Sequence, residues 1–367
     1  MRDMESYLKI TFILPSLGQG GAERVASNLL NSLANRGYET SVILVSRRIV
    51  SYHLDERVRV ECLDCDDDNA LPFLKRFRIR LNKIKGAVNK LSSDVVISFM
   101  SETNIDVCFA LFNSKIPIIV SERNDPAIDP ASRVKQFLRK IAYLKPKGFV
   151  FQTPDAQNYF SKRIRKKSKI ILNPLIDNLP KLNIDKEKRI VAVGRLHKQK
   201  NFPLLIEAFE IFSRVHPEYV LEIYGEGALK EELVQIIKEK GLQDKVFLKG
   251  FCKDVHQKIV SAEMFVMTSG YEGMPNALLE AMALGLTCIS TDCPCGGPRM
   301  LIKNNENGLL VPLKDVNALK EAMNYVAENP LEAKEMAKNA VQIREMADGD
   351  KIVDNWLQMV NDCLGVK

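Results

Sequence analysis

The sequence predicts an α/β protein with two doubly wound domains, each built on a parallel sheet. Short apolar runs alternate with segments of helical period along the chain, and strands separated by helices favour a parallel sheet. The alternation starts again after a polar, proline-containing stretch at residues 174–187. A chain of 367 residues is also long enough for two domains of ordinary size. We therefore expect one domain over residues 1–173 and a second over residues 174–350.

Six apolar runs of the first domain have the length and composition of strands, and a helix ending near Arg36 separates the first two. These runs are residues 8–14, 40–45, 58–63, 95–98, 116–121 and 148–152. The second domain repeats the pattern at residues 189–193, 220–224, 246–248, 264–267, 287–290 and 308–311. A last helix is predicted at residues 351–364, around the single Trp356.

Composition places the chain among soluble globular proteins, with 46% hydrophobic and 27% charged residues. No run of about 18 apolar residues and no signal-peptide pattern is visible, so we expect a cytoplasmic protein. The eight cysteines are scattered and are expected to be reduced thiols. The pairs Cys62/Cys65 and Cys293/Cys295 fall in different predicted domains, and the second spacing is unusual for zinc. We therefore expect no metal and no cofactor.

Positive charge is concentrated in the first half of the chain. Residues 1–180 hold 29 Lys/Arg and 19 Asp/Glu, whereas residues 181–367 hold 24 and 27. Between residues 74 and 91, apolar residues recur at helical spacing with seven Lys/Arg among them, and further basic clusters follow at 133–147 and 162–169. A basic amphipathic helix can bind an anionic membrane surface. The alternative is a domain helix whose apolar stripe faces the sheet, and both can hold at once. Nucleic acid is not an expected partner, because the basic clusters lack interleaved aromatic residues.

Three strand-to-helix turns carry residues suited to binding an anion or a sugar. The most informative is YEGMPNALLEAMALG at residues 271–285, where Pro275 begins a helix, Gly285 ends it, and two carboxylates stand nearby at Glu272 and Glu280. A helix N-terminus attracts phosphate, and carboxylates accept hydrogen bonds from hydroxyl groups. The alternative is that Glu272 is an ordinary loop charge and Glu280 a helix-surface acid.

The other two turns follow predicted strands in each domain. GRLHKQKN at residues 194–201 places Arg195 and Lys200 in and after a turn, and GQGGAER at residues 18–24 precedes a helix. Glycines such as Gly20 and Gly21 allow the backbone to approach a diphosphate closely, since they lack a Cβ atom. Arginine and lysine would neutralise that diphosphate, the first with a planar fork and the second as a point charge. The alternative for the cations is an exposed surface pair.

Together these three motifs resemble glycosyltransferase family 4, the retaining, nucleotide-sugar-dependent enzymes of the GT-B fold. That fold has two Rossmann-like domains facing across a cleft, and the resemblance is most specific at residues 190–312. It implies an acceptor-side domain at 1–173, onto which the helix at 351–367 packs back, and a nucleotide-sugar domain at 174–350. It implies a donor site formed by Gly20, Gly21, Gly194, Gly250, Phe251, Met274, Pro275, Asn276, Ala277 and Glu280.

The resemblance also implies the catalytic roles. Arg195 and Lys200 would stabilise the diphosphate leaving group, Glu272 would bind the donor sugar and Glu280 the ribose, without a metal. Many family members carry a histidine after the fourth strand, where this chain has ISFMSETN at residues 97–104, and its four histidines lie elsewhere. We therefore expect Glu102 or Ser101 to orient the acceptor, with Glu122 and Arg123 as further acceptor-side residues.

A fourth segment bears on the type of donor and acceptor. CPCGGPR at residues 293–299 is similar to a segment of bacterial family members that transfer galactose-type or N-acetylhexosamine sugars to lipid-linked oligosaccharides. The expected function is transfer of a hexose or N-acetylhexosamine from a UDP-sugar to a polyprenyl-diphosphate-linked or polysaccharide acceptor, at the inner face of the membrane. The alternatives are a glycosyltransferase with a soluble acceptor and a nonenzymatic protein that binds nucleotide sugars.

Overall fold

The structure is a computed structural model that describes residues 8–18, 20–65, 72–176, 178–183 and 185–366. Gln19 of the glycine-rich turn lies outside these ranges. The chain divides into two compact units. Unit 1 is Met1–Pro174 with Gly349–Lys367, and unit 2 is Leu175–Asp348.

Unit 1 is built on a parallel sheet of seven strands in the order β3-β2-β1-β4-β5-β6-β7. The strands are β1 (Lys9–Leu14), β2 (Glu39–Leu44), β3 (Arg59–Cys62), β4 (Val95–Phe99), β5 (Ile118–Ser121), β6 (Gly148–Phe151) and β7 (Ser168–Ile170). The helices are α1 (Gly21–Asn35), α2 (Phe73–Lys90), α3 (Ser101–Ala110), α4 (Arg133–Ala142), α5 (Pro154–Asn158), α6 (Lys162–Arg165) and the C-terminal α15 (Gly349–Leu364). All six predicted strands of this domain are confirmed, and β7 is the strand that sequence reasoning missed.

Helix α15 contributes part of the unit 1 core. Trp356 is buried, and its ring lies 5.7 Å from that of Phe99 at the end of β4. At its edges the helix is held by ion pairs between Arg36 and Asp354 and, at 2.7 Å, between Lys169 and Asp362. The last helix of the chain therefore covers the sheet formed by the first half.

Unit 2 repeats the architecture with six parallel strands in the order β10-β9-β8-β11-β12-β13. Its strands are β8 (Glu187–Val193), β9 (Val220–Tyr224), β10 (Val246–Gly250), β11 (Ala262–Met267), β12 (Thr287–Thr291) and β13 (Leu309–Val311). Its helices are α7 (Phe202–Val215), α8 (Lys230–Glu239), α9 (Val255–Ile259), α10 (Asn276–Ala283), α11 (Gly297–Leu301), α12 (Val316–Glu328), α13 (Pro330–Ala340) and α14 (Ile343–Met346). All six strands predicted for this domain are confirmed, each to within two residues at either end.

The basic helix predicted near residue 74 is α2, and the structure shows which way its apolar stripe faces. Ile84, Val88 and Leu91 are buried in unit 1, whereas Leu74 at the start of the helix is exposed. Most of the stripe thus faces the domain interior, as the alternative interpretation expected. In the part of the chain that the structure describes, no helix combines the length and apolar character needed to cross a bilayer.

Candidate functional site

The turn after β8 is shaped by two glycines of the turn after β9. A Cβ atom on Gly225 would lie 1.9 Å from the carbonyl oxygen of Gly194, and one on Gly227 would lie 2.3 Å from that of Leu196. No side chain fits at such distances, so the two turns can pack backbone against backbone only because both positions are glycine. The Leu196 amide donates to the Glu226 carbonyl at 2.9 Å, which fixes the loop that carries Arg195.

The same loop is joined to the end of β11 by backbone and side-chain hydrogen bonds. The Gly270 amide donates to the Gln199 carbonyl at 2.7 Å, and the Gln199 side chain donates to the Tyr271 carbonyl at 2.9 Å. Thr268 Oγ1 donates to the carbonyl oxygen of Lys200 at 2.9 Å. These contacts hold the turns after β8 and β11 as one rigid group.

Lys200 and Glu272 meet at the centre of that group. The Lys200 ammonium lies 2.5 Å from Glu272 Oε1, and the same oxygen accepts a hydrogen bond from Ser269 Oγ at 2.7 Å. Glu272 is buried and the Lys200 ammonium is largely so. A lysine ammonium has three N–H groups, so Lys200 can hold Glu272 and still donate to a bound anion.

A third loop, between β12 and α11, supports Glu272 from the other side. The Glu272 amide donates to the Pro294 carbonyl at 2.6 Å, and the Cys295 amide donates back to the Glu272 carbonyl at 2.9 Å. A Cβ atom on Gly297 would lie 1.8 Å from the carbonyl oxygen of Gly273. The glycine-rich segment at residues 293–299 therefore packs directly against the backbone that positions Glu272.

Helix α10 begins one residue later than the sequence suggested. Pro275 is the N-cap rather than the first helical residue, with φ −79° and ψ 100°, and the helix runs over Asn276–Ala283. Met274 and Pro275 are buried, whereas Asn276 and Ala277 are half-buried. Gly285 after the helix has φ +66°, the left-handed conformation expected there.

Glu280, in the second turn of α10, is buried and lies 2.8 Å from His256 Nε2. His256 belongs to the short helix α9, which packs beside α10 through this contact. With an ionised Glu280, His256 Nε2 must carry a hydrogen and donate a hydrogen bond to the carboxylate. The histidine thus fixes the orientation of the carboxylate that was predicted to bind ribose.

The topology of unit 2 explains why these loops converge. Strand β8 pairs with β9 on one side and with β11 on the other, so the order of strands reverses between β8 and β11. Parallel α/β sheets bind ligands outside the carboxyl ends of the strands at such a reversal. Lys200 follows β8 and Glu272 follows β11, and Arg195 is exposed on the same edge. Strand β10 ends at Gly250, two strands away from β8, and Phe251, the next residue, is exposed.

The corresponding reversal in unit 1 lies between β1 and β4. Gly20 and Gly21 follow β1, with Gly20 as the N-cap of α1 and Gly21 as its first residue. A Cβ atom on Gly20 would lie 2.0 Å from Glu23 Oε2, because the Glu23 side chain folds back over the helix N-terminus. Ser101 and Glu102 follow β4 at the start of α3.

Ser101 and Glu122 form a buried group rather than an open binding surface. Ser101 Oγ donates to Glu122 Oε2 at 2.6 Å, the Tyr143 hydroxyl donates to Oε1, and Arg139 lies 3.6 Å away. Burial raises the pKa of Glu122, although Arg139 and the two hydroxyl donors oppose the shift. Both Ser101 and Glu122 are about 1% exposed. This burial changes the expected role of these two residues from direct acceptor contact to positioning.

Glu102 and Arg123 are the more accessible members of the acceptor-side set. Glu102 is half exposed and forms an ion pair with Lys135 of α4 at 2.6 Å. The Arg123 guanidinium lies 4.5 Å from the centre of the Phe99 ring and donates to Asn173 Oδ1 at 2.7 Å. Burial lowers the pKa of Arg123, but the residue stays positively charged at neutral pH.

Comparison with known proteins assigns a family to this arrangement. The family model described as "Glycosyl transferases group 1" matches residues 177–343, which contain Lys200, Glu272 and Glu280. The chain is 30% identical over 358 residues, 92% of its length and 95% of the relative's, to the N-acetylgalactosamine-N,N'-diacetylbacillosaminyl-diphospho-undecaprenol 4-alpha-N-acetylgalactosaminyltransferase of Campylobacter jejuni. The chain belongs to the group 1 glycosyl transferases.

Solved structures give the same fold for this glycosyltransferase. The Anabaena protein HepE in complex with UDP matches with a TM-score of 0.82 over 97% of this chain and 100% of that one, at 19% identity. A sucrose-phosphate synthase from Thermosynechococcus elongatus matches with a TM-score of 0.84 at 18% identity, covering 98% of this chain and 100% of that one. The expected GT-B fold is therefore confirmed. The prediction of an enzyme is confirmed separately, by the match to the group 1 glycosyl transferases and by the Campylobacter jejuni relative.

Sequence reasoning missed two residues that contact the carboxylates of the candidate site. Ser269 lies two residues beyond the end of β11, and its hydroxyl could have been noticed as a polar group at the carboxyl end of a strand. His256 gave no local signal, because its contact with Glu280 spans 24 residues and depends on how α9 packs. Among the described residues, no group of three or more His, Cys, Asp and Glu side chains is arranged to hold a metal ion.

Proposed function

We propose that this glycosyltransferase is a retaining enzyme of family 4 that uses a UDP-sugar. It would transfer a hexose or N-acetylhexosamine to a lipid-linked oligosaccharide or a surface-polysaccharide precursor. The observation that carries the proposal is the Lys200–Glu272 pair at the strand reversal of unit 2. A cation for a diphosphate and a carboxylate for sugar hydroxyls stand together where α/β sheets bind nucleotides.

The donor would be bound by the loops that the structure holds rigidly. Lys200 and Arg195 would contact the diphosphate, and Glu272 would accept hydrogen bonds from sugar hydroxyls through Oε2, since Lys200 and Ser269 both contact Oε1. Glu280, oriented by His256, would accept from the ribose diol. The sugar and phosphate would face the backbone at residues 274–277, and Phe251 would lie beside the base. Gly194 and Gly250 would let the protein backbone approach the donor closely, and Gly20 and Gly21 would do the same for the diphosphate.

In a retaining reaction on one face of the sugar, the bond between the anomeric carbon and the β-phosphate oxygen breaks as the acceptor hydroxyl attacks. The leaving phosphate oxygen takes the proton of that hydroxyl, so no protein base is required. Negative charge grows on the β-phosphate in the transition state, so preorganised cations stabilise the transition state more than the ground state. Lys200 and Arg195 would supply this counter-charge, and we propose that no metal takes part.

Names of relatives support the choice of donor and acceptor class. The structures of HepE contain UDP, UDP-glucose, or UDP with glucose. Two Campylobacter jejuni relatives, at 30% and 29% identity, are named for transfer to undecaprenol-linked diphospho-sugars. The basic first half of this chain suits such an anionic acceptor and an anionic membrane surface. Glu102 and Arg123 would orient the acceptor, and Ser101 and Glu122 would position them.

A thermal-shift series with UDP, GDP, ADP and their sugars, in buffer containing EDTA, tests the donor. UDP should raise Tm, and one UDP-sugar should raise it further. Lys200→Ala should abolish the shift. Lys240→Ala is the matched control and should keep it, because Lys240 forms an ion pair of similar length with Glu210, at 2.6 Å, outside the candidate site. A response to GDP or ADP alone would overturn the UDP assignment, and a response that requires added divalent metal would overturn the metal-free mechanism.

A further inference from the structure

Helix α4 exposes an apolar stripe that unit 1 does not cover. The stripe consists of Val134, Phe137, Ile141 and Leu144, the last just beyond the helix end, and is called the α4 stripe below. The spacing of three, four and three residues places all four on one face. Val134 is 67% exposed and Phe137 61%, and Ile141 and Leu144 are exposed as well.

The opposite face of α4 supplies the contacts that anchor the helix in the domain. Arg139 is buried, and its guanidinium donates to the carbonyl oxygens of Asp129 and Pro126 at 2.7 Å each. Ala142 is buried and Lys135 is tied to Glu102. An arginine is thus turned inward while a phenylalanine is turned outward, which is the reverse of the usual distribution between interior and surface.

Charge around the α4 stripe has a single sign. Residues 131–147 contain six Lys/Arg and no Asp or Glu. Helical spacing places Arg133 and Lys140 next to the stripe, and both are exposed. An apolar face bordered by cations is the pattern of a helix that lies in the interface of an anionic bilayer.

The location of α4 relates this surface to the acceptor-side residues. The Lys135–Glu102 pair joins the first turn of α4 to the first turn of α3, directly after β4. Ser132, the N-cap of α4, follows the loop that also carries Asp129, whose carboxylate lies 3.3 Å from Ser101 Oγ. The stripe therefore begins at the carboxyl edge of the unit 1 sheet, beside the residues assigned to the acceptor.

We infer that the α4 stripe docks this enzyme on an anionic lipid bilayer, with Phe137 and its apolar neighbours inserted at the headgroup boundary. Arg133 and Lys140 contact lipid phosphates. Charge complementarity selects this partner, since a second copy of the stripe would bring like charges together. Of the basic clusters in the sequence, the helix at residues 74–91 was the first candidate for membrane contact. Ile84, Val88 and Leu91 of that helix are buried, whereas the α4 stripe is exposed. The inference adds a docking element to the proposed lipid-linked acceptor, and its test requires no turnover.

Vesicle flotation measures the docking directly. The full chain is mixed with vesicles of phosphatidylcholine alone, or with vesicles in which about one lipid in three is the anionic phosphatidylglycerol. We expect binding to the anionic vesicles, reduced by salt, and at least about a tenfold weaker binding for Phe137→Asp and Val134→Asp. Lys140→Ala should weaken binding about fivefold, the effect of one cation near the surface. Leu331→Asp is the matched control, because Leu331 in unit 2 is 79% exposed but has no place in the stripe.

Three results would decide against the inference. Equal binding by the wild type, Phe137→Asp and Leu331→Asp, or no binding to anionic vesicles at low salt, would overturn it. So would a dimer in sedimentation analysis that Phe137→Asp dissociates, since the stripe would then be a subunit interface. The UDP thermal shift of Phe137→Asp should match that of the wild type, which confirms folding and separates failure of docking from failure of the proposed donor site.

Discussion

Replacement of Gly297 by alanine tests whether the loop between β12 and α11 positions Glu272. The new Cβ atom would lie 1.8 Å from the Gly273 carbonyl oxygen and 2.8 Å from Pro275 Cδ, although real Cβ contacts are essentially never shorter than 3.0 Å. The carbonyl group must therefore move by about 1.2 Å, because a closely packed interior leaves no room for compression. Gly273 follows Glu272 directly, so the displacement reaches the carboxylate.

A displacement of about 1 Å in a catalytic group costs on the order of 100-fold in rate, or about 2.7 kcal/mol. We therefore expect kcat/KM for Gly297→Ala to fall about 100-fold in a transfer assay, with a small decrease in Tm. Gly270→Ala is the matched control in the same group of loops, since its Cβ would meet only the Gln199 carbonyl oxygen at 3.8 Å. Wild-type kcat/KM in Gly297→Ala, or an equal loss in Gly270→Ala, would refute the proposed link between these loops and Glu272.

Three further predictions follow from named contacts. His256→Ala leaves the buried Glu280 without its 2.8 Å partner and should raise the donor KM about tenfold, with partial recovery in His256→Gln; unchanged KM in both would contradict the positioning role. Trp356→Ala should lower the free energy of unfolding by about 3–5 kcal/mol in urea titration, and a loss below about 1 kcal/mol would show that α15 adds little to unit 1. Burial raises the pKa of Glu122 above its unfolded value of 4.5, so unfolding releases a proton and stability should fall as pH rises from 4.5 through the folded pKa. Glu122→Gln should flatten this fall, and an unchanged stability profile would contradict it.

Alternation of strands and helices was enough to predict both sheets, because the strands at the centre of each are apolar and buried. The strand missed in unit 1, β7, has the sequence Ser-Lys-Ile and lies at the sheet edge, where few residues need to be apolar. Strand β5 begins at Ile118 rather than at residue 116, and Pro117 just before it lacks the N–H that pairing requires.

Site residues were predictable where a motif is local and unpredictable where packing decides. Lys200 and Glu272 could be singled out because each stands in the turn after its own strand, yet nothing in the sequence indicated that their side chains pair. Glu122 is buried against Tyr143 and Arg139, about 20 residues away in the chain, so its burial could not be read from its own turn. The outward face of α4 is likewise a property of the folded domain.

Transfer of labelled sugar to lipid tests the proposed activity most directly. Purified enzyme would be incubated with each labelled UDP-sugar and a polyprenyl-diphosphate-linked saccharide, and the organic phase counted. We predict label in the lipid fraction from one UDP-sugar, with the anomeric configuration of the donor kept in the product and no transfer by Lys200→Ala. Label that appears in lipid only from GDP- or ADP-sugars, or a product of inverted configuration, would contradict the proposed donor or mechanism.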